Sequence, residues 1–511
     1  MALYRNIGLL ALALALACPI ECSGPRKGAL RYGRTVPDNR NSCSTCGEPL
    51  NLSPLLKEGR IEEARNLSAV HLPLADGQRI PSHSGYYESD EAAGNNMFWW
   101  YFPAQSGDLS APLVIWLQGG PGGSSLMGLF AEMGPYSLTP ASPDTKLTAV
   151  LRESSWNKKY GMLFIDNPVG AGFSYTTKNG YCNDTKGCVA KNLYSVIDQF
   201  YVQFPDQRRV ELWITGESYG GHYVPGFAYY IHKQNQGKAE ADKVPLAGIA
   251  VGDGWIDPIN MVPGYPDMIY NFGLVSELEK ARIQKYCDDT VANIRAGNML
   301  QAFGVWDEFL NGDVWPYSNY FHNVTGLNDY DNYMNTDAPA SLEYYATYLN
   351  YPEVQRALHV GSRPFPTDPD ECERHLLSDF MVSFTDCLGG LLDAPENYRI
   401  SVYSGQLDVI IGAALTERFL ARLAWRGADA YKRALKKVWR LTPQDREVAG
   451  YVREVGNFTY TVVRGAGHLV PFDQGWRALD MIEHLIERKP YEHQPNPLPR
   501  SAAVAAPSLV V

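Results

Sequence analysis

One hydroxyl in the sequence stands in a setting that could make it a nucleophile. In Leu212-Trp-Ile-Thr-Gly-Glu-Ser-Tyr-Gly-Gly221 a buried strand pattern runs into Gly216-Glu217-Ser218-Tyr219-Gly220, and a helical pattern follows. A G-x-S-x-G segment between strand and helix forms a sharp turn that lifts the serine hydroxyl above a sheet edge, its glycines relieving the crowding. Alone, the pattern also arises by chance in loops. A serine hydroxyl needs a base beside it and a carboxylate to hold that base. Two later strand-and-turn patterns supply them: residues 458–463 lead into Arg464-Gly-Ala-Gly-His468, and Ser401-Val-Tyr-Ser-Gly-Gln-Leu-Asp408 repeats the layout with an acid. His359 closes a stretch with helical spacing and reads as a structural histidine. Asp253, after Ala250-Val-Gly252, is the competing acid, with another strand between it and the histidine strand. The order Ser218, Asp408, His468 is that of the α/β hydrolases.

A third glycine loop, Trp116-Leu-Gln-Gly-Gly-Pro-Gly-Gly-Ser-Ser125, follows the strand pattern at residues 113–117. Phosphate binding is one reading, but the loop lacks the Lys-Ser/Thr ending and the G-x-G-x-x-G spacing. Acyl transfer gives it another use, because a tetrahedral oxyanion needs two fixed backbone N–H donors. Tyr219, after the nucleophile, offers one, and Gly120 in this loop offers the other.

Stepwise strand and helix patterns must position these groups. Residues 84–88, 98–102, 113–117, 162–165, 212–215, 248–251, 400–404 and 460–463 read as short strands, with helical patterns at 189–204 and 219–234. Such alternation predicts an α/β fold: a mainly parallel sheet with helices on both faces. The alternation fails between 258 and about 350, a Tyr/Asn/Asp-rich stretch expected to form an inserted helical cap, and it returns at 351–360. An amphipathic helix at 476–488 closes the core. The expected division is 71–257 and 351–490 for an α/β-hydrolase core, 258–350 for the cap and 491–511 for a flexible tail.

Five motifs in this order resemble the serine carboxypeptidases, and within them the vitellogenic-like group. They are the glycine loop 116–125, Asp166-Asn-Pro-Val-Gly-Ala-Gly-Phe-Ser174, Gly216-Glu-Ser-Tyr-Gly-Gly-His-Tyr223, Gly405-Gln-Leu-Asp408 and Gly465-Ala-Gly-His-Leu-Val-Pro-Phe-Asp473. The resemblance covers roughly residues 72 to 489 and implies removal of C-terminal residues from peptides through an acyl-enzyme. It implies that Glu217, Gln118 and the Gly119 backbone hold the substrate's terminal carboxylate, with Glu132 as a second carboxyl beside Glu217. Two adjacent carboxyls cannot both ionise cheaply, so one pKa rises; an exposed helix charge is the alternative for Glu132. The chain departs from the family in having Gln118 where most members have Asn, and Gly123 where many have a disulfide-forming Cys. Peptide or protein C-termini are the expected partners, no cofactor and no metal are expected, and a homodimer is open. A different esterase or acyltransferase on the same scaffold, or a non-catalytic secreted binding or storage protein, are the alternative functions.

The rest of the sequence speaks to compartment. With 511 residues, 45% hydrophobic and a net charge of -11, the chain can fill a large core and lacks the positive charge that nucleic acid demands. Arg5 precedes an apolar run at 7–17 and a small-residue zone at 18–24, which reads as a signal peptide over 1–23. The run is short of the roughly 20 residues of a membrane span, so no stable membrane anchor is expected; a lipoprotein box at 14–18 is the alternative. Residues 24–70 read as an extended N-terminal extension or pro-segment. Five Asn-x-Ser/Thr sites, Asn51, Asn66, Asn183, Asn323 and Asn457, are glycosylation candidates on a secretory, extracellular or lysosomal route. Of nine cysteines, Cys182 with Cys188 and Cys372 with Cys387 are expected to form local disulfides. Cys43 with Cys46 reads as a short disulfide or processed pro-segment, and Cys287 as the unpaired thiol.

Overall fold

Strand faces alternate between two cores. In β2 (Asn95–Phe102), Met97, Trp99 and Tyr101 enter one hydrophobic cluster while Phe98, Trp100 and Phe102 enter another. In β3 (Leu113–Leu117), Leu113, Ile115 and Leu117 face the first cluster and Val114 and Trp116 the second. A strand buried on both faces has no polar side to show, which is why these segments read as continuous apolar runs. The computed structural model describes residues 43, 46–72, 77–140, 146–312, 314, 318–366 and 370–492. The expected signal peptide, the first part of the extension and nearly all of the tail lie outside them.

The remaining strands are β1 (His83–Asp90), β4 (Tyr136–Pro140), β5 (Leu147–Leu151), β6 (Gly161–Ile165), β7 (Tyr175–Thr176), β8 (Leu212–Glu217), β9 (Leu246–Gly252), β10 (Arg399–Gly405), β11 (Lys437–Trp439), β12 (Gly450–Val455) and β13 (Phe458–Val463). The main sheet runs β1-β2-β6-β3-β8-β9-β10-β13-β12-β11, with β7 paired to β2, and β4-β5 is a separate hairpin. From β6 to β13 every pairing is parallel, and antiparallel strands flank both sides. The expected strands are all present; β4, β5, β7, β11 and β12 were not anticipated. The helices Ala190–Gln203 and Gly220–Asn235 cover one face and Gly475–Ile486 the other. This is the mainly parallel α/β architecture that the sequence predicts.

Between β9 and β10 the described chain is helical, and its longest helix is Glu277–Arg295. At the expected return of alternation, residues 351–360, the chain forms the helix Pro352–Ala357, and the next strand is β10. The N-terminal extension is not simply extended. Ser53–Lys57 and Ile61–Ser68 are helices that bury Leu52, Leu56 and Ala64 in the first core. Arg65 Nε donates to the Gln203 carbonyl at 2.6 Å, and Gln203 Nε2 donates to Ser68 Oγ at 3.0 Å, docking this segment on the Ala190–Gln203 helix. Helices of one or two turns repeat an apolar position too few times to stand out in sequence.

Two disulfides form as expected, Cys43–Cys46 and Cys182–Cys188. The expected Cys372–Cys387 bridge does not. Both are buried free thiols, as is Cys287. Cys372 lies on the helix Asp370–Leu376, where its thiol donates to the Val169 carbonyl at 3.5 Å, whereas Cys387 lies on the separate helix Thr385–Leu392 and packs into the first core. Each cysteine is committed to its own helix's packing, so closeness in sequence does not bring the sulfurs together.

The motif at 166–174 has a structural task. Fully buried Asp166 accepts from Ser124 Oγ at 2.5 Å and from the Phe173 N–H at 2.8 Å, while Ser125 Oγ donates to the Ile165 carbonyl at 2.6 Å. These bonds tie the glycine loop after β3 to the end of β6. Asp166→Ala strands two donors in a dry site, so urea unfolding is expected to find the variant less stable by about 3 kcal/mol. A loss well below about 1 kcal/mol would mean that the loop is anchored elsewhere.

Candidate active site

The turn after β8 carries the strain expected of an elbow. Ser218 has φ 61°, a left-handed backbone that a non-glycine residue holds only when its surroundings enforce it. They do: the Ser218 N–H donates to the Gly252 carbonyl at 3.0 Å, and its own carbonyl accepts from Gly221 at 2.9 Å and Trp255 at 2.9 Å. A side chain at Gly216 would put Cβ 2.4 Å from the Leu117 carbonyl oxygen, so only glycine lets β8 pass β3 there. Ser218 is half-buried and lines a cavity together with His468.

His468 and Asp408 meet across neighbouring strand ends. His468 Nδ1 lies 2.8 Å from Asp408 Oδ2, and Asp408 Oδ1 accepts from the Ile411 N–H at 3.1 Å. Both residues are buried. Burial alone would lower the His468 imidazole, but the Asp408 carboxylate overrides it and lifts the group to about 9. A carboxylate on Nδ1 fixes the tautomer and leaves Nε2 to exchange a proton with a neighbouring hydroxyl. His359 lies elsewhere, with Nδ1 3.3 Å from Ser84 Oγ. Of Asp253 and Asp408, weighed as alternatives in sequence, Asp408 is the one that bonds the histidine, while Asp253 lies close by, one ligand atom from each of the three falling within 4.8 Å of the others.

The glycine loop closes over the nucleophile. A Cβ on Gly119 would lie 2.6 Å from Ser218 Cβ and 2.6 Å from the Tyr219 nitrogen, so the absence of a side chain lets the two backbones touch. Gly120, Gly119 and Tyr219 all line the cavity with Ser218. Trp116 Nε1, which can only donate, bonds Gln118 Oε1 at 2.8 Å. That fixes the amide orientation, so Gln118 Nε2 donates to Glu217 Oε1 at 2.9 Å.

Glu132 is fully buried, on the turn Gly128–Glu132, and not an exposed helix charge. Burial lifts its carboxyl to about 7 against opposing hydrogen bonds from Glu217 and Gln118. Burial and then the Glu132 charge push Glu217 well above the usual carboxylate range. Neither Glu132 oxygen nor Glu217 Oε2 has another hydrogen-bond partner among the described residues. One proton shared between the two carboxyls would pair one Glu132 oxygen with Glu217 and remove a charge from the dry site.

The cavity wall is a feature that sequence reasoning missed. Trp255, Trp306, Phe380, Ile410 and Ile411 line it, with ring centroids of Trp255 and Trp306 5.3 Å apart and of Trp306 and Phe380 5.2 Å apart. Trp306 comes from the segment between β9 and β10, whose aromatic richness was the available signal. Among the glycosylation candidates, Asn66, Asn183 and Asn323 are exposed. Asn51 and Asn457 are half-buried, and their amides bond Asn96 at 3.2 Å and the Tyr398 carbonyl at 2.5 Å.

Comparison with known proteins identifies the family. The sequence model of the serine carboxypeptidase family, Peptidase S10, matches residues 73–488. The chain is 42% identical to the probable serine carboxypeptidase CPVL of Mus musculus over 87% of this chain and 91% of that one. It is 40% identical to the Homo sapiens protein of the same name over 94% and 97%, and 37% identical to the vitellogenic carboxypeptidase of Aedes aegypti over 85% and 89%. Among solved structures, the prohormone-processing carboxypeptidase Kex1(delta)p of Saccharomyces cerevisiae superposes with a TM-score of 0.71 at 23% identity, covering 83% of this chain and 96% of that one, which shows the shared fold. The chain belongs to the serine carboxypeptidase family.

Proposed function

We propose that Ser218, His468 and Asp408 are the catalytic triad of this carboxypeptidase. The observation that carries the reading is the His468–Asp408 bond at 2.8 Å beside a left-handed Ser218 in one cavity. Ser218 Oγ attacks the carbonyl of the last peptide bond while His468 Nε2 takes its proton. The tetrahedral oxyanion is held by the Gly120 and Tyr219 N–H groups. His468 then gives the proton to the leaving amine, the terminal residue departs, and a water activated by the same imidazole releases the acyl group from Ser218.

Selection for the chain terminus falls to the carboxyl cluster. Gln118 Nε2, the Gly119 backbone and the proton shared by Glu132 and Glu217 receive the substrate's terminal carboxylate. The apolar wall of Trp255, Trp306, Phe380 and Ile410 suits bulky apolar side chains beside the scissile bond. The N-terminal apolar run, the two disulfides and the exposed Asn66, Asn183 and Asn323 support a secretory route with glycans at those positions. No described helix is long and apolar enough to cross a membrane.

Ser218→Ala is expected to fold normally and to lower kcat/KM for a peptide substrate on the order of a million-fold, and Asp408→Asn roughly ten-thousand-fold. Turnover by purified Ser218→Ala near the wild-type rate would remove Ser218 from the mechanism.

The carboxyl pair predicts a pH signature. With Glu132 lifted to about 7 and Glu217 raised further by the Glu132 charge, the pair gives up a first proton near neutrality, and the shared one leaves only on the alkaline side of that. A peptide acid, whose carboxylate is repelled by a doubly ionised pair, should lose kcat/KM on that alkaline side. His468 imposes the opposite limb on every substrate, because it must be neutral to accept the Ser218 proton. A matched peptide ester, which lacks the carboxylate, should therefore reach its maximum at higher pH than the acid. Glu217→Gln should flatten the alkaline fall for the acid, since an amide donates at every pH. Identical acid and ester profiles in the wild type would refute the role given to Glu217.

A further inference from the structure

Asp253 is a buried acid for which the three-residue mechanism has no use. It follows β9 directly, is fully buried and has φ 41°, a conformation that Asp and Asn tolerate better than other side-chain-bearing residues. Its N–H donates to the Tyr403 carbonyl at 2.8 Å, and its Oδ1 accepts from the Gly405 N–H at 2.8 Å. Its Oδ2 is buried with no hydrogen-bond partner among the described residues. Asp408, one strand over, already has both oxygens engaged, Oδ2 by His468 and Oδ1 by Ile411. An ionised Asp253 would hold a bare carboxylate oxygen in a dry site against the negative Asp408.

A proton on Oδ2 removes both penalties. It turns a bare acceptor into a donor and leaves one negative charge where there would be two. We propose that Asp253 is a positioning residue whose protonated carboxyl donates through Oδ2 to Asp408, holding that carboxylate in place and keeping a single negative charge opposite His468. Burial and then the Asp408 charge push the Asp253 carboxyl well above the usual carboxylate range. The other charged groups facing it, Asp331 and Glu217, are acidic and reinforce the neutral state. The nearby Tyr403 and Tyr460 phenols are buried and raised far above neutrality, so they add no charge.

This inference rests on the triad reading, and the test separates the two. The readout is kcat, KM and the acidic limb of kcat/KM for a peptide ester, which has no carboxylate for Glu217 to sense. Asp253→Gly keeps the left-handed backbone and removes the donor. Asp408 then pairs more strongly with the imidazolium, so kcat should fall about 10- to 100-fold with KM little changed. The acidic limb should move up by about one pH unit. Asp253→Asn places an amide donor on Asp408 and keeps an acceptor for Gly405; it should regain most of the lost rate and hold the wild-type limb. An unshifted limb in a folded Asp253→Gly overturns the proposal. So does an Asp253→Asn limb displaced to lower pH, which would mean that the variant had removed a negative charge. Should Asp253→Gly fail to fold, the Asp253→Asn limb alone decides. If Ser218→Ala is inactive while the Asp253 variants behave like wild type, only the positioning role falls; if Ser218→Ala remains active, the triad reading itself falls.

Discussion

Parallel register at one sheet edge is the constraint on which the rest of the molecule depends. Leu117 pairs with Gly216, Gly216 with Val251, Gly252 with Tyr403, and Gly405 with Val463, so β3, β8, β9, β10 and β13 end together. The loops leaving those ends carry Gln118 to Gly120, Ser218, Asp253, Asp408 and His468. Residues hundreds of positions apart meet because each lies within five residues of the end of a strand. The register is in turn specified by burial on both faces, since a one-residue slip would exchange the two apolar cores.

Burial at this edge creates an electrostatic problem that the structure resolves in pairs. Glu132, Glu217, Asp253 and Asp408 are all fully buried there. Taking four separate anions out of water would be prohibitive, and the lone imidazolium cannot offset them. The chain groups the acids instead, Glu132 with Glu217 and Asp253 with Asp408, so that one proton per pair halves the charge. In the proposed mechanism one pair faces the substrate and the other faces the base. The same physics that stabilises the fold thereby fixes how each half of the reaction responds to pH.

What the sequence made legible was local. Each of Ser218, Asp408 and His468 lies at the end of a strand pattern with glycine beside it, and those signals span fewer than a dozen residues. Glu132 was harder, because its burial depends on the turn Gly128–Glu132 folding against Trp116, whose ring a Gly128 Cβ would meet at 2.3 Å from Nε1. Asp253 was legible as an acid after a strand, and Asp408 is the acid that bonds His468, but the nearness of Asp253 to Asp408 was hidden, since lateral contact between strand ends has no trace in sequence order. The same blindness to distance in space produced the unmade Cys372–Cys387 bridge. The flanking strands β11 and β12 escaped because one is three residues long and the other largely half-buried, so neither presents an apolar run.

Both disulfides of the described chain span short loops, with sequence separations of 3 and 6. Neither joins the portion that supplies the nucleophile to the portion that supplies the acid and the base. Among the described residues, the long helical passage from β9 to β10 is the sole covalent route between them. A single backbone cut there would convert the enzyme into two polypeptides held only by noncovalent contacts, among them the β9–β10 ladder, the shared cores and ion pairs such as Arg488–Glu211. Such a heterodimer would stay assembled under native conditions, yet its halves would separate in denaturant without any reductant.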